Sequence, residues 1–113
     1  MSTRRLVIGN WKMTGTRARV RAFAQTACPA LADIEGCEAA VYVPFPLLSI
    51  AQAAWKASPL HLGAQDCSDA AEGPSTGDVS ALMLRECGTR HVIVGHSERR
   101  GGHRESDSVV AAK

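Results

Sequence analysis

The apolar and polar positions of this chain predict four strands separated by helices. Short runs rich in aliphatic and β-branched residues cover residues 5–10, 39–43, 60–65 and 91–94. Between these runs, apolar residues recur at three- and four-residue steps, as they do on one face of an amphipathic helix. We therefore predict helices over residues 16–31, 46–57 and 80–87, and a last helix that begins near Ser106.

Local signals mark the ends of these helices. Thr16 is a predicted N-cap, Pro46 suits the first turn of the second helix, and Gly88 follows the third helix as a C-terminal cap. Strands and helices then alternate strictly, in units of about 25 to 30 residues. This order is typical of a parallel sheet with crossover helices, which places the chain in the α/β class.

The chain is predicted to be a single domain, residues 1–113, because its composition shows no break. The last helical segment has no stop signal. An open four-stranded parallel sheet also leaves two edges and one face to be covered. We therefore expect an incomplete domain, the amino-terminal part of a longer repeated β/α architecture.

Composition excludes several classes of protein. Hydrophobic residues make up 45% of the chain, which predicts a folded domain rather than disorder. The net charge of +2 is too small to indicate nucleic-acid binding, and no apolar stretch approaches the roughly 20 residues of a membrane span. The four cysteines form no C-x-x-C pair and no metal-like spacing with histidine. We expect reduced cysteines in a cytoplasmic protein without a metal.

Functional side chains follow two of the predicted strands directly. The first strand leads into Asn10 and Lys12, and the fourth leads through Gly95 into His96 and Glu98. In a parallel sheet, side chains beyond the carboxyl ends of the strands meet at one edge, where such enzymes place their chemistry. An ammonium and an imidazole at that edge suggest a small anionic substrate that carries a carbonyl group.

Each of these residues also has a plain structural interpretation. A lone lysine after a strand is most often solvated, and Glu98 could equally pair with Arg99 or Arg100. His96 has the sharper setting, because a helical turn that begins there disfavours the imidazolium and leaves a neutral ring able to donate a hydrogen bond. Arg99 and Arg100 are predicted to stabilise the fold. The same structural role is predicted for the remaining histidines, His61, His91 and His103.

Other catalytic and nucleotide motifs are missing. The segment around His96 lacks the second glycine of a G-x-S-x-G nucleophile elbow, which argues against a serine hydrolase. No G-x-G-x-x-G follows the first strand, and no Gly-Lys pair forms a P-loop. The sequence therefore indicates neither kind of nucleotide site.

The two strand exits resemble those of the triosephosphate isomerase family. Residues 9–13 (GNWKM) and 94–100 (VGHSERR) match that family in order and spacing, and shorter matches lie at residues 65–66, 76–77, 80–81 and 105–107. The resemblance covers essentially the whole chain. It implies the first four β/α units of a TIM (β/α)8 barrel, a half-barrel whose active site lies at the carboxyl ends of the strands.

The resemblance also implies an activity. The family interconverts dihydroxyacetone phosphate and D-glyceraldehyde 3-phosphate through an enediolate, in glycolysis and gluconeogenesis. By resemblance, Lys12 supplies positive charge to the phosphate and the developing oxyanion, and Asn10 and Trp11 help to bind the substrate. His96 polarises the carbonyl as a neutral imidazole, a use for which this family is a well-known example. Glu98 anchors Lys12, and no cofactor or metal is implied, because the substrate's own carbonyl acidifies the transferred proton.

The family forms a homodimer, and the resemblance places Thr76, at the tip of the loop after strand three, near the partner's lysine, with Thr14 at the same interface. The family's general-base glutamate, mobile lid and two phosphate loops lie in its second half, and none is found in these 113 residues. We therefore expect the chain alone to be inactive. The alternative is a non-catalytic module that binds phosphate or pairs as a half-barrel with another chain.

Overall fold

The computed structural model describes residues 3–113 and arranges them around one four-stranded sheet. The strands are β1 (Arg5–Asn10), β2 (Cys37–Tyr42), β3 (His61–Ala64) and β4 (His91–Val92). Neighbours in sequence are neighbours in the sheet, and every pairing is parallel. Because right-handed crossovers in this unbroken order all fall on one side of the sheet, the arrangement is that of half a β/α barrel. The predicted fold class is confirmed.

Five α-helices are described within residues 3–113: the first three alternate with the strands as predicted, and the last two both follow the fourth strand. Between β2 and β3, a 3₁₀ turn (Phe45–Leu47) precedes the second α-helix. None of the described helices combines the length and the apolar character needed to cross a bilayer. The bounds of the α-helices are α1 (Arg17–Leu31), α2 (Leu48–Trp55), α3 (Ala81–Glu86), α4 (Ser97–Gly102) and α5 (Asp107–Ala112).

The predicted cap residues close the helices as expected. The hydroxyl of Thr16 accepts a hydrogen bond from the backbone N–H of Arg19 at 3.1 Å, which satisfies a free donor in the first turn of α1. Gly88 adopts a φ of +81°, and the next residue, Thr89, donates its N–H to the carbonyl of Leu84 at 3.1 Å. A left-handed glycine followed by such a bond is the usual way to end a helix, here α3.

Several element bounds differ from the prediction, for local reasons. The second helix was predicted as one element over residues 46–57, but its first turn is the 3₁₀ turn and α2 ends at Trp55. The fourth strand was predicted to reach Val94, whereas only His91 and Val92 belong to β4. Gly101 and Gly102 form the last turn of α4.

The hydrophobic core lies between the sheet and the first two helices. Val20, Val43 and Trp55 are at most 1% exposed and form its centre. Because side chains alternate along a strand, the core residues Val41, Leu62 and Ala64 share the helix-covered face, whereas Leu6, Val7 and Ile8 of the edge strand β1 remain 42%, 60% and 48% exposed. The sheet is therefore packed on one face, and its carboxyl edge is free to carry the candidate site.

A matched pair of glycine substitutions tests this packing. A Cβ added at Gly63 in β3 would overlap the ring of Tyr42, whereas a Cβ added at Gly101 in α4 would meet nothing within 4 Å. We expect Gly63→Ala to lower the free energy of unfolding by about 1–3 kcal/mol through overpacking. Gly101→Ala should raise it by about 0.5–1 kcal/mol. Urea denaturation measures both, and a neutral Gly63→Ala would contradict the position of the Tyr42 ring.

Candidate active site

A cavity of about 380 Å³ opens at the carboxyl ends of the strands. Each strand end contributes to its lining: Asn10 closes β1, Phe45 lies just beyond β2, Gln65 follows β3, and His96 follows β4. Lys12 also lines it. The structure thus brings the residues of the two predicted strand exits to a single cavity, as the parallel topology requires.

Lys12 and Glu98 are in direct contact at this cavity. The ammonium Nζ of Lys12 donates to Oε1 of Glu98 at 2.7 Å, and Nδ1 of His96 lies 3.5 Å from the other carboxylate oxygen. The hydrogen bond from Lys12 holds the pKa of Glu98 below its ordinary value, against a smaller opposing effect of desolvation. Both side chains are more than half exposed, so the pair orients the ammonium more than it stabilises the fold.

The backbone of Lys12 is strained. Its φ of +54° lies in the left-handed region, which costs a residue with a side chain about 1–3 kcal/mol. Two hydrogen bonds hold this conformation: the N–H of Lys12 donates to Oδ1 of Asn10 at 2.9 Å, and the amide of Gln65 donates to the carbonyl of Lys12 at 2.8 Å. The strain sits at the residue that aims the ammonium into the cavity.

Gln65 links three strand ends through one amide group. Its Nε2 donates to Oδ1 of Asn10 at 3.2 Å, to the carbonyl of Lys12 at 2.8 Å and to the carbonyl of Tyr42 at 3.1 Å. The two hydrogens of this amide group are shared among three oxygens, so both donors of the Gln65 side chain are used. Sequence reasoning did not include Gln65 among the site residues. Its position directly after β3, equivalent to that of Asn10 after β1, was the available signal.

His96 is the N-cap of α4, and this contact sets its tautomer. The backbone N–H of Glu98 donates to Nδ1 of His96 at 3.1 Å, which leaves the ring proton of the neutral form on Nε2. The preceding residue, Gly95, has a φ of +64°, and a Cβ there would lie 2.6 Å from a methyl of Val110. Arg100 donates to the Gly95 carbonyl at 2.8 Å and so braces the same turn.

A closed ring of four charges ties this turn to the sheet. Arg99 contacts Asp66 at 3.0 Å and Glu105 at 3.0 Å, and Lys113 contacts the same two carboxylates at 2.8 and 2.7 Å. The Glu105 and Lys113 side chains are only 6% and 9% exposed. The hydrogen bond from Lys113 lowers the pKa of Glu105. Burial alone would lower the pKa of Lys113, but the hydrogen bonds to Asp66 and Glu105 outweigh burial and raise that pKa. We call this the charge ring.

The remaining predicted site residues lie outside the cavity lining. The indole of Trp11 packs edge-on against Phe23, with ring centroids 5.6 Å apart, and its backbone N–H donates to the carbonyl of Tyr42 at 3.0 Å. Its side chain therefore anchors the loop to α1. Thr14 donates to the Trp11 carbonyl at 2.6 Å, and Thr76 is exposed in the loop after β3. No hydrogen bond joins the two threonines within residues 3–113.

The cavity offers one ammonium, which is paired with Glu98, and several hydrogen-bond donors. Lys12 provides an ammonium and His96 an imidazole N–H. Because the N–H of Lys12 and the amide of Gln65 both donate to the side-chain oxygen of Asn10, its Nδ2 group is left to donate. No set of three or more His, Cys, Asp or Glu side chains in the part of the chain described here is arranged to hold a metal ion. Such a site suits a small anion with a carbonyl oxygen.

Comparisons with known proteins agree on one family. The family model described as triosephosphate isomerase matches residues 5–113. A protein of that name from Bartonella bacilliformis is 49% identical over 113 residues, which cover 99% of this chain and 44% of the relative. Another, from Thiobacillus denitrificans, is 51% identical over 110 residues, covering 97% of this chain and 43% of the relative. The chain therefore spans less than half the length of the curated relatives it matches.

A solved structure is similar in fold along the same length. The crystal structure of triosephosphate isomerase from Bartonella henselae superposes with a TM-score of 0.91 at 41% sequence identity. The match covers 98% of this chain and 46% of that protein.

Removing the amide donors of Gln65 should loosen the site. We expect Gln65→Ala to lower the free energy of unfolding by about 1–3 kcal/mol, because the oxygens it serves lose their donor and the strain at Lys12 loses a restraint. Gln65→Glu should cost more, since a carboxylate would face those oxygens. Urea denaturation measures the effect, with the exposed Gln25→Ala as a control that should change stability by less than about 0.5 kcal/mol. Equal effects of Gln65→Ala and Gln25→Ala would contradict this linkage.

The pKa of Glu98 should depend on Lys12. In Lys12→Met we expect it to rise towards its ordinary value of 4.5, because the hydrogen bond that lowers it is lost. A pKa that is lowered on folding adds stability above the unfolded value, and this stability is lost as the pH falls through the folded pKa. The variant should lose that part of the pH dependence.

Carboxyl carbon shifts of Glu98, followed by NMR against pH, measure this change. Lys56→Met, which removes a lysine that does not line this cavity, is the matched control and should leave the titration unchanged. An unaltered titration of Glu98 in Lys12→Met would rule out the ion pair.

Proposed function

Because the chain belongs to the triosephosphate isomerase family, we propose that it provides the electrophilic part of an active site that interconverts dihydroxyacetone phosphate and D-glyceraldehyde 3-phosphate. One observation carries the proposal: Lys12 and His96, from opposite ends of the chain, line the same cavity at the carboxyl ends of the strands. The charge and the donors of that cavity match a triose phosphate, which is small, anionic and carries a carbonyl group.

In the proposed mechanism, the ammonium of Lys12 attracts the phosphate and stabilises negative charge on the developing enediolate. The Nε2–H of His96 donates to the carbonyl oxygen, so that this oxygen gains charge while the neighbouring carbon loses its proton. A neutral imidazole suits this step, because it donates from Nε2 while Nδ1 accepts from the backbone N–H of Glu98, which an imidazolium could not do. Asn10 positions both the backbone of Lys12 and the substrate, and Glu98 holds the ammonium in place.

The proton must be abstracted by a carboxylate that this part of the site does not provide. Glu98 is bound to Lys12, and Glu105 belongs to the charge ring, so neither is free to act as a general base. We propose that the general-base glutamate and the lid come from the second half of the family's barrel. The chain alone is then expected to bind weakly and not to turn over substrate.

We also propose that the whole protein is a cytoplasmic homodimer. Support for the interface comes from exposed apolar side chains: Met13 next to the site is 95% exposed, and Leu82 and Met83 on α3 are 59% and 53% exposed. Thr76 lies in a fully exposed loop that is available for such a contact. Support for the compartment comes from the cysteines described, all of which are free thiols.

A fusion protein tests the proposed activity. Residues 1–113 are joined to the remaining part of the Bartonella bacilliformis relative, and isomerisation of glyceraldehyde 3-phosphate is followed in a coupled assay. We expect activity from the fusion and none from the chain alone. His96→Gln should lower kcat of the fusion by about 100- to 1,000-fold, because the donor to the developing oxyanion is lost.

The fusion has a matched pair of lysine variants. Lys12→Met should reduce kcat/KM strongly, whereas Lys56→Met, outside the cavity, should leave it unchanged. Substantial activity in His96→Gln or Lys12→Met would refute the assigned roles. An inactive fusion beside a folded, self-associating chain, judged by sedimentation, would instead support the non-catalytic half-barrel module, which the exposed face at Leu6 and Ile8 would serve.

A further inference from the structure

A pair of histidines joins β3 to β4 at the amino-terminal ends of the strands, away from the cavity. Nδ1 of His61 lies 2.9 Å from Nε2 of His91, and the two rings stack with centroids 5.1 Å apart at an angle of 20°. The strands themselves share only two paired positions, Gly63 with His91 and Ala64 with Val92. The contact between the two rings therefore adds a side-chain link to this short backbone pairing.

Neighbouring donors determine where the protons of this pair sit. Nη1 of Arg90 lies 3.4 Å from Nε2 of His61, and a guanidinium can only donate. Nε2 of His61 is therefore the acceptor, and its ring proton is on Nδ1, from which it donates to Nε2 of His91. Both rings are neutral in this arrangement, and a directed chain of bonds runs from Arg90 through His61 to His91.

The charged groups around the pair are mostly positive. From β2, Glu38 places Oε1 at 3.8 Å from Nε2 of His61, but Arg4 shares that oxygen at 4.0 Å. Arg90 approaches from the start of β4, and Lys56 lines the same cleft from the end of α2. Burial first, and then Arg90, lower the pKa of His61, while Glu38 opposes them. A proton on this ring would add a fourth cation beside one carboxylate.

We propose that the His61–His91 pair is an acid-sensitive latch between β3 and β4. When His61 takes up a proton from solvent at Nε2, it loses the bond from Arg90 and faces that guanidinium with a like charge. The repulsion moves the ring away from Arg90 and out of the stack, which breaks the bond from Nδ1 of His61 to His91. His91 then keeps only its stacking against Tyr42, whose ring centroid is 6.1 Å away. The released end of β4 is the segment that leads to His96, and acid thereby loosens the cavity from the opposite end of the sheet.

The direction of the effect follows from proton linkage. The folded pKa of His61 is below its unfolded value of 6.5, so the closed latch binds fewer protons than the open one. The stability that the latch contributes is complete above the unfolded pKa and is lost as the pH falls through the folded pKa. Acid therefore favours opening.

Backbone amide exchange on the full 113-residue chain tests the latch. The N–H of Ile93 donates to the carbonyl of Ala64 at 3.0 Å, and that of Arg90 to the carbonyl of Leu62 at 2.8 Å, so both report on the β3–β4 seam. We expect their protection factors to fall by up to about tenfold between about pH 7.5 and about pH 5.5. Tenfold is the limit reached if His61 takes up a proton only in the open form, with its ordinary pKa of 6.5. The amide of Val20 in α1 should keep its protection.

Variants separate the latch from a general acid effect. His61→Gln and His91→Gln should each remove the pH dependence at Ile93, whereas His103→Gln, which alters a histidine outside the pair, should retain it. Nitrogen shifts of the wild-type rings give an independent measurement: at about pH 7.5 both should be Nδ1–H tautomers, and the pKa of His61 should lie below its ordinary value of 6.5. Constant protection at Ile93, or an Nε2–H tautomer for His61, would overturn the proposal even where a variant fails to fold.

Discussion

The parallel pairing of adjacent strands is the constraint on which every other feature of the molecule depends. It aligns Asn10 at the end of β1 with Tyr42 at the end of β2, and Gln65 just beyond β3 reaches both. A shift of one residue in either register would turn these side chains to the helix-covered face of the sheet. Lys12 would then lose the contacts that hold its left-handed backbone. The geometry of the site is thus a direct product of strand register.

The strand exits were predictable because they obey local rules. An aliphatic run, a turn and a polar group are visible in the sequence, so Asn10, Lys12 and His96 could be assigned to one edge once the sheet was taken as parallel. The positive φ of Lys12 could not be predicted, because glycine is the residue that usually indicates a left-handed backbone in a sequence. The bonds made by Gln65 were equally invisible, because its partners come from two other strands.

Longer-range electrostatics also lay beyond the sequence. Arg99 was expected to stabilise the fold, but its partners, Asp66 and Glu105, lie on opposite sides of it along the chain and meet only in the folded sheet. His61 and His91 are 30 residues apart and were expected to be structural; nothing in their flanking residues indicates that they form a hydrogen-bonded pair. Strand ends were misjudged for a related reason, since the length of β4 depends on pairing with β3 rather than on its own apolar residues.

The charge ring constrains how this region can vary. Its two cations and two carboxylates sum to zero, and two of the four side chains are almost dry. Replacing one member with a neutral residue would leave one charge of the ring without a partner in a largely buried site. This lowers stability far more than removing two oppositely charged members together. Asp66, Arg99, Glu105 and Lys113 should therefore be inherited as a unit. Lineages that abandon one of them should be found to have changed a second, oppositely charged member as well.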